Sequence, residues 1–351
     1  MTPARPRSEP AGVRIPAELA GPVEVALARS VDQIPAPNAL PGGARYEVKW
    51  DGYRVAIVRS GDGARLWTRN RHDISDRFPD VVIAAVRQLP DGVVLDGELV
   101  ILGADGRLSF DALQQRLVTS PAKARGNAAV LPASFAAFDL LAAGGIDLRT
   151  QRWTVRRQRL EQLAQGWVPP LQLTPVTADL EEATEWFEVL PAAMGVEGLV
   201  VKGAATRYTP GRRDAWVKVK HRETREVVVG GVLGSITHPE VVIAGLYNGE
   251  AELVVVGRTV PLKPEQSAQL AAVLAPARGG HPWPDEITSY RWGGPDSKKP
   301  LTKVEPTVVA EVTADAATQA GQARHGMRYV RLRPDLRPDD LPTVAGGVGG
   351  G

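Results

Sequence analysis

From about Ile15 to Lys220, short β-rich runs are interleaved with a few stretches of helical spacing. Strict alternation of apolar and polar residues marks a half-buried strand, because successive side chains leave the backbone on opposite faces. Arg45-Tyr46-Glu47-Val48-Lys49-Trp50 alternates in this way and is predicted as a strand. Asp51-Gly52 follows as a tight-turn dipeptide, and Val55-Ala56-Ile57-Val58 continues as a second strand. Ala64 to Trp67 reads as a strand too, as do Val93 to Leu95 and Leu99 to Leu102 on either side of Asp96-Gly97-Glu98. Phe135 to Leu141, Leu199 to Lys202 and Trp216 to Lys220 complete the set. Apolar residues recur at helical spacing in Phe78 to Gln88, Arg156 to Gln165 and Leu180 to Leu190.

The charged stretch His221-Arg222-Glu223-Thr224-Arg225-Glu226 interrupts this pattern, and residues 222–226 are predicted as a hinge linker. Five strand-like runs come after it: Val227 to Leu233, Val241 to Tyr247, Ala251 to Val256, Val308 to Val312 and Tyr329 to Leu332. Pro264 to Leu274 is an amphipathic helix between the third and the fourth. Five strands and one helix are the elements of a small OB-type barrel, a common nucleic-acid-binding fold. The chain therefore divides into a domain over 16–221 and a second over 227–342. Proline and glycine content predicts disordered ends at 1–15 and 343–351. Pro282-Trp283-Pro284 and Arg291-Trp292-Gly293-Gly294-Pro295 read as loop aromatics that pack, rather than as base-stacking platforms.

Composition narrows the class. At 351 residues the chain is long enough for two domains with their own cores, and 43% hydrophobic with 23% charged residues is the balance of a soluble globular protein. No apolar stretch reaches membrane-spanning length, and the N-terminal residues have no signal-peptide core. The absence of cysteine excludes disulfides, thiolate zinc sites and cysteine nucleophiles, and fits a cytoplasmic protein. A formal charge of +2 permits nucleic-acid binding through a local patch without demanding it.

Lysine is the informative residue. Only nine of the 42 basic residues are lysine, and four of them, Lys49, Lys202, Lys218 and Lys220, fall inside the strands above. Unlike arginine, lysine can shed its proton and attack as a nucleophile. Lys49 closes a strand beside a turn, with Arg54 close enough to neutralise a phosphate. Taken singly the motifs have plainer readings. Asp96-Gly97 also suits a β-turn with Glu98 exposed after it, Phe138 also suits a core, and Lys218 and Lys220 share a strand face that is either solvated or phosphate-binding.

In chain order, however, Lys49-Trp50-Asp51-Gly52-Tyr53-Arg54, Thr68-Arg69-Asn70-Arg71, Asp96-Gly97-Glu98, Phe135 to Leu141, Glu197 to Lys202 and Trp216 to Lys220 resemble the motifs of one superfamily. It comprises the covalent lysyl-nucleotidyltransferases: DNA ligases, RNA ligases and mRNA capping enzymes. The chain looks most like the ATP-dependent DNA ligases, in particular the short bacterial DNA ligase C type, from about Pro35 to Pro342. The resemblance implies an α+β fold, with an ATP-grasp-like nucleotidyltransferase (adenylation) domain of antiparallel sheets and helices followed by a C-terminal β-barrel OB-fold domain.

It also implies roles. The Lys49 position forms the phosphoamide bond with AMP, and Lys218 and Lys220 grip the α-phosphate as pyrophosphate leaves. Attack by Lys49 needs an unprotonated amine, for which Lys218, Lys220 and Arg54 are the candidate neighbouring cations. Glu47 contacts the adenine and Phe138 stacks on it. Arg54 and Arg69 bind the ribose and phosphate side, Glu98 the ribose hydroxyl or a metal, and Glu197 lies near the divalent ion, Mg²⁺ or Mn²⁺. Tyr208-Thr209-Pro210-Gly211-Arg212-Arg213 matches a further ligase run, with Arg213 at a phosphate-contacting position. In the second domain Arg331 and Arg333 reach the leaving pyrophosphate. Two positions depart from the pattern: Arg71 stands where glycine is usual, and Leu336 where many ligases have lysine.

The expected activity is ATP-dependent sealing of nicked duplex DNA by a monomeric, stand-alone repair ligase without disulfide, zinc or membrane attachment. A capping guanylyltransferase or RNA ligase shares the lysine chemistry, but the Tyr208-to-Arg213 run and the Arg331-to-Asp335 ending favour a DNA ligase. A catalytically dead nucleic-acid-binding protein would not need the intact set of Lys49, Glu98, Glu197, Lys218 and Lys220.

Overall fold

The computed structural model describes residues 13–213, 215–288, 298–315, 318–319, 322–323 and 326–344, and it divides into two units, Met1–His221 and Arg222–Gly351. In chain order the first unit contains β1 (Ala28–Val31), β2 (Ala44–Lys49), β3 (Tyr53–Ser60), β4 (Gly63–Thr68), α1 (Pro79–Gln88), β5 (Val93–Ile101), α2 (Phe110–Val118), α3 (Ala124–Val130), β6 (Ala133–Ala143), β7 (Ile146–Asp147), α4 (Trp153–Ala164), β8 (Leu171–Leu173), β9 (Val176–Thr177), α5 (Leu180–Met194), β10 (Gly198–Gly203) and β11 (Trp216–Lys220). They form two sheets, ordered β1-β11-β10-β2-β9 and β4-β3-β5-β6-β7, with β8 beside β6.

Strand alternation gives each sheet an apolar face and a face of different character. On the first sheet Ala44, Tyr46, Leu199, Val201 and Val217 are buried together with Ala183 of α5, and Trp186 and Phe187 of α5 pack against them. On the second, Val55, Ile57, Leu95 and Leu99 are buried with Val81, Ala84 and Ala85 of α1 and Leu113 of α2. A third cluster joins Ala56, Val58, Val94 and Leu141 of the second sheet to Trp216 of the first, with Leu19, Val23 and Tyr208. The inner faces of the two sheets are therefore held together at one end by apolar packing, and the polar residues of those faces occupy the rest.

Asp51-Gly52 does not close a hairpin. β2 and β3 lie in different sheets, so the dipeptide carries the chain from one to the other. Glycine is required there by close approach: a Cβ on Gly52 would sit 2.2 Å from the Leu99 carbonyl oxygen. Helix α2 escapes the periodicity reading because its buried face includes a charge. The Arg116 guanidinium is buried, forms a two-pronged ion pair with Asp80 (2.7 and 2.8 Å) and stacks 4.4 Å from the Phe78 ring centroid. Its start is fixed by Ser109, whose hydroxyl accepts from the Ala112 amide at 3.2 Å.

In the second unit β12 (Arg222–Ser235), β13 (His238–Tyr247), β14 (Leu253–Arg258) and α6 (Pro264–Ala271) precede strands Val309–Asp315 and Arg328–Leu332. Strand Val309–Asp315 pairs with β12 on one side and with Arg328–Leu332 on the other. The open ends of this path meet: Val260 N–H donates to the Met327 carbonyl at 2.7 Å, and Met327 N–H to that of Arg258 at 2.8 Å. Val227, Val229, Val242, Leu270, Val312 and Tyr329 fill the interior.

Three details differ from the sequence reading. Residues 222–226 are not an irregular linker but the start of β12, in register from Arg222 opposite Asp315 to Glu226 opposite Glu311. Backbone pairing with a neighbour far along the chain supplies the order that a charged stretch does not advertise. Residues 13–15 are packed, with Ile15 buried and Val13 N–H donating to Asp91, and Val344 N–H donates to the Tyr247 carbonyl. Residues 1–12 and 345–351 lie outside the described residues, as do Arg291 to Pro295. Trp283 is a packing residue, buried against Gly230 and Gly245 with its indole N–H donating to Leu253 O at 2.7 Å. Among the described residues, no helix is long and apolar enough to cross a membrane.

Candidate active site: a pocket between two sheets

The polar inner faces of the first unit enclose a pocket of about 350 Å³, lined by Glu47, Lys49, Arg54, Arg69, Glu98, Phe138, Arg213, Trp216 and Lys218 among others. Register explains the convergence. Lys49 stands opposite Gly198, and Gly198 opposite Lys220; Glu47 stands opposite Val200, and Val200 opposite Lys218. Residues directly opposite share a face, so Glu47 and Lys49 of β2 and Lys218 and Lys220 of β11 point the same way on either side of β10. Arg54 stands opposite Glu98 on the facing sheet.

Lys49 donates to the Glu197 carboxylate, and Lys220 Nζ lies 3.6 Å from the other oxygen of that group. Glu197 is buried and its backbone is tied down on both sides, its N–H donating to Lys49 O at 2.8 Å and its carbonyl accepting from His221 at 2.9 Å. The next residue has to be glycine. Gly198 has φ +131°, and a Cβ there would lie 2.3 Å from the Val219 carbonyl. Burial, then the positive charges of Lys49 and Lys220, hold the Lys218 amine below the usual lysine range. Glu98 is pushed up to about 8, chiefly by burial; the cations Lys49 and Arg54 oppose the rise and Glu197 adds to it.

Arg54 lines the pocket but its guanidinium is engaged elsewhere. Nε and Nη2 donate to the two Asp96 oxygens at 3.0 and 2.6 Å, and Nη1 donates to Ala26 O at 2.5 Å. It also lies 5.3 Å from the Phe138 ring centroid and 5.2 Å from that of Trp216, so it braces the aromatic wall. Arg69 follows β4, its N–H donating to Arg54 O at 3.2 Å. Two residues on, Arg71 adopts φ 66°, the left-handed conformation that glycine takes freely. Arginine holds that conformation here at a cost of about 1–2 kcal/mol.

Sequence reasoning missed a layer of buried charge behind the pocket. Arg156 and Asp139, both buried, pair through two hydrogen bonds of 2.7 and 3.0 Å. Tyr208 donates to Asp96 at 2.6 Å. Lys202 is fully buried and pairs with Glu47 at 2.7 Å. The sequence reading placed Lys202 in a strand but gave it neither burial nor a partner. Arg331 and Arg333 belong to the second unit, where they form ion pairs. Arg331 lies 2.8 Å from Glu311, while Arg333 reaches Asp335 at 2.8 Å, Glu226 at 2.5 Å and Glu311 at 3.6 Å. The bond from Arg333 holds the Asp335 carboxylate down at about 2.

A half-buried lysine paired with a buried carboxylate, further cations and an aromatic wall thus meet at one pocket between the two sheets. Residues 25–220, more than half of the chain, match the family model of the ATP dependent DNA ligase domain. The chain belongs to this family and is an ATP-dependent DNA ligase. It is 34% identical over 333 residues to DNA ligase C2 of Mycolicibacterium smegmatis, covering 90% of this chain and 91% of the relative. To DNA ligase C of Mycobacterium tuberculosis it is 32% identical over 345 residues, again covering 90% and 91%. Among solved structures, a Lig E DNA ligase superposes with a TM-score of 0.53 at 17% identity, over 88% of this chain and 99% of that one; this likeness shows the fold alone.

Proposed function

We propose that the chain seals nicks in duplex DNA, in a repair role, with Lys49 as the residue that carries AMP. Lys49 Nζ attacks the α-phosphate of ATP and pyrophosphate leaves. AMP then passes from Lys49 to the 5′-phosphate of the nick, and the 3′-hydroxyl displaces it to close the strand. The observation that carries this reading is the placement of Lys49 on the pocket face, hydrogen-bonded to Glu197 and flanked by Lys218 and Lys220. Glu197 orients the amine and is within reach of its departing proton, while Lys218 and Lys220 neutralise charge that develops on the α-phosphate. Phe138 and Trp216 offer faces for the base, and Arg69 and Arg213 flank the phosphate side of the same pocket.

A divalent ion, Mg²⁺ or Mn²⁺, fits Glu98 and Glu197. Burial and the nearby Glu197 charge disfavour the Glu98 anion against the pull of Lys49 and Arg54, and a further cation would favour both carboxylates. Among the described residues no cluster of three or more His, Cys, Asp or Glu side chains is arranged to hold a metal, so water and phosphate oxygens would complete its shell. When bound, the ion would neutralise phosphate charge.

The second unit supports an OB-fold reading. Its five main strands and helix follow the order strand, strand, strand, helix, strand, strand, and the Arg258–Val260 and Met327 hydrogen bonds join the two edges. In this reading the unit closes over ATP to bring Arg331 and Arg333 to the pyrophosphate, then moves away so that the nick can enter.

Incubation with α-labelled ATP or GTP, denaturing electrophoresis and a chase with nicked DNA test the proposal. ATP alone is expected to label the chain, and nicked DNA to remove the label. Lys49→Ala and Lys49→Arg are expected to abolish labelling with the fold intact, since guanidinium does not deprotonate. Wild-type labelling in Lys49→Ala would end the reading.

A further inference from the structure

Among the described residues Lys202 is the buried ion-pair partner of Glu47, and its contacts reach both sides of the pocket's aromatic end. Its Nζ donates to Glu47 Oε2 at 2.7 Å and to the Phe138 carbonyl at 3.0 Å. The same ammonium lies 4.6 Å from the Phe138 ring centroid and 4.2 Å from that of Trp216. Glu47 is 1% exposed and Lys202 0%. The second carboxylate oxygen, Glu47 Oε1, is buried with no hydrogen-bond partner among the described residues, although Glu47 lines the pocket. A buried acceptor left open in this way costs free energy until a donor fills it.

We propose that Lys202 is a positioning residue that sets nucleobase choice: by holding Glu47 Oε2 and the Phe138 carbonyl at once, it leaves Oε1 as the acceptor presented to the base. This rests on the reading of the pocket as an ATP site. The 6-amino group of adenine donates, whereas the 6-oxo group of hypoxanthine or guanine can only accept, so a carboxylate oxygen fixed there selects the former. Lysine suits the task because an ammonium has three donors and no acceptor, and so cannot turn a lone pair towards its neighbours. It also balances charge in the layer where Asp139 pairs with Arg156 and Asp96 with Arg54.

The glutamine variant makes the role of Lys202 visible. In Glu47→Gln the amide has one oxygen, and Lys202, which only donates, captures it. The amide NH₂ is then turned into the pocket, where it opposes the amine of adenine and meets the 6-oxo group of hypoxanthine. The experiment compares kcat/KM for formation of the Lys49-linked nucleotide from ATP and from inosine triphosphate. Wild type is expected to favour ATP by at least about tenfold, and Glu47→Gln to favour inosine triphosphate. Glu47→Gln/Lys202→Met is expected to move back towards ATP, because the amide, no longer held, can rotate its oxygen to the base.

An ATP preference retained in Glu47→Gln, or an unchanged ratio on adding Lys202→Met, would overturn the proposal, since a merely structural lysine lowers both rates alike. Circular dichroism checks folding; if the double variant does not fold, the ratio in Glu47→Gln decides by itself. Failure of wild type to take up any nucleotide on Lys49 would overturn the ligase reading. Equal use of both triphosphates by wild type would overturn only the role of Lys202.

Discussion

Glu98→Gln should stabilise the first unit at alkaline pH while disabling the site. Burial raises the Glu98 carboxyl from its ordinary value of 4.5 to about 8. A carboxyl whose folded value lies above its unfolded one favours folding fully only below the unfolded value. Its contribution is lost as pH rises through about 8, because the unfolded chain ionises first. At about 1.4 kcal/mol per tenfold, that rise sets an upper bound on the order of 5 kcal/mol above pH 8. Glu98 opens onto a pocket, and solvent screening brings the expected difference to about 2 kcal/mol. Glutamine carries no charge to bury, so the variant should match wild type near pH 4.5 and gain on it steadily up to about pH 8. Urea denaturation of the ligand-free protein at pH 5, 7 and 9, followed by tryptophan fluorescence, measures this. Self-adenylylation by the same variant should fall by roughly 10²-fold, the usual scale for losing one charge-positioning group. A stability difference that does not change with pH, or a less stable variant at pH 9, would refute the argument. With Mg²⁺ present, wild type should recover stability at pH 9 and the variant should not.

Changing Arg331 and Arg333 together to Ala should block self-adenylylation yet spare sealing of a nick that already carries AMP on its 5′ end, whereas Lys218→Ala should impair both; a double variant that fails on both substrates argues against the closure model. Arg116→Ala leaves Asp80 without its buried partner and should cost about 3–5 kcal/mol, read as a lowered denaturation midpoint, while Arg116→Met, which keeps the stem over Phe78, should cost less. Affinity for a nicked duplex, measured by filter binding, should fall steeply with salt and vary little with base sequence, because a sealing enzyme grips backbone phosphates; a flat salt response would contradict this.

Much of the site was legible in the chain because its chemistry is local. Lys49, Glu47 and the Lys218–Lys220 pair sit two residues apart on alternating strands, so pattern alone puts each set on one face. Gly52 and Gly198 are part of motifs whose backbone approaches other strands too closely for a side chain. What the pattern does not contain is which strands become neighbours. Nothing around Asp51-Gly52 announces that β2 and β3 join different sheets, and an alternating strand looks the same in either. The charged run 222–226 gains its place in a strand only from a partner some 90 residues away, Val309–Asp315. The buried ions are decided at the same level. Arg116 and Arg156 read as solvated charges and Lys202 as a strand lysine without a partner, because hydrophobicity along a chain registers a residue and not its counter-ion. Each is buried only because folding delivers a carboxylate distant in sequence, 17 residues off for Arg156–Asp139 and 155 off for Lys202–Glu47. The sequence by itself determined which of the candidate residues share a strand face. Tertiary structure decided which charges are paired out of solvent, and so that Arg54 braces the pocket wall and one Glu47 oxygen has no hydrogen-bond partner among the described residues.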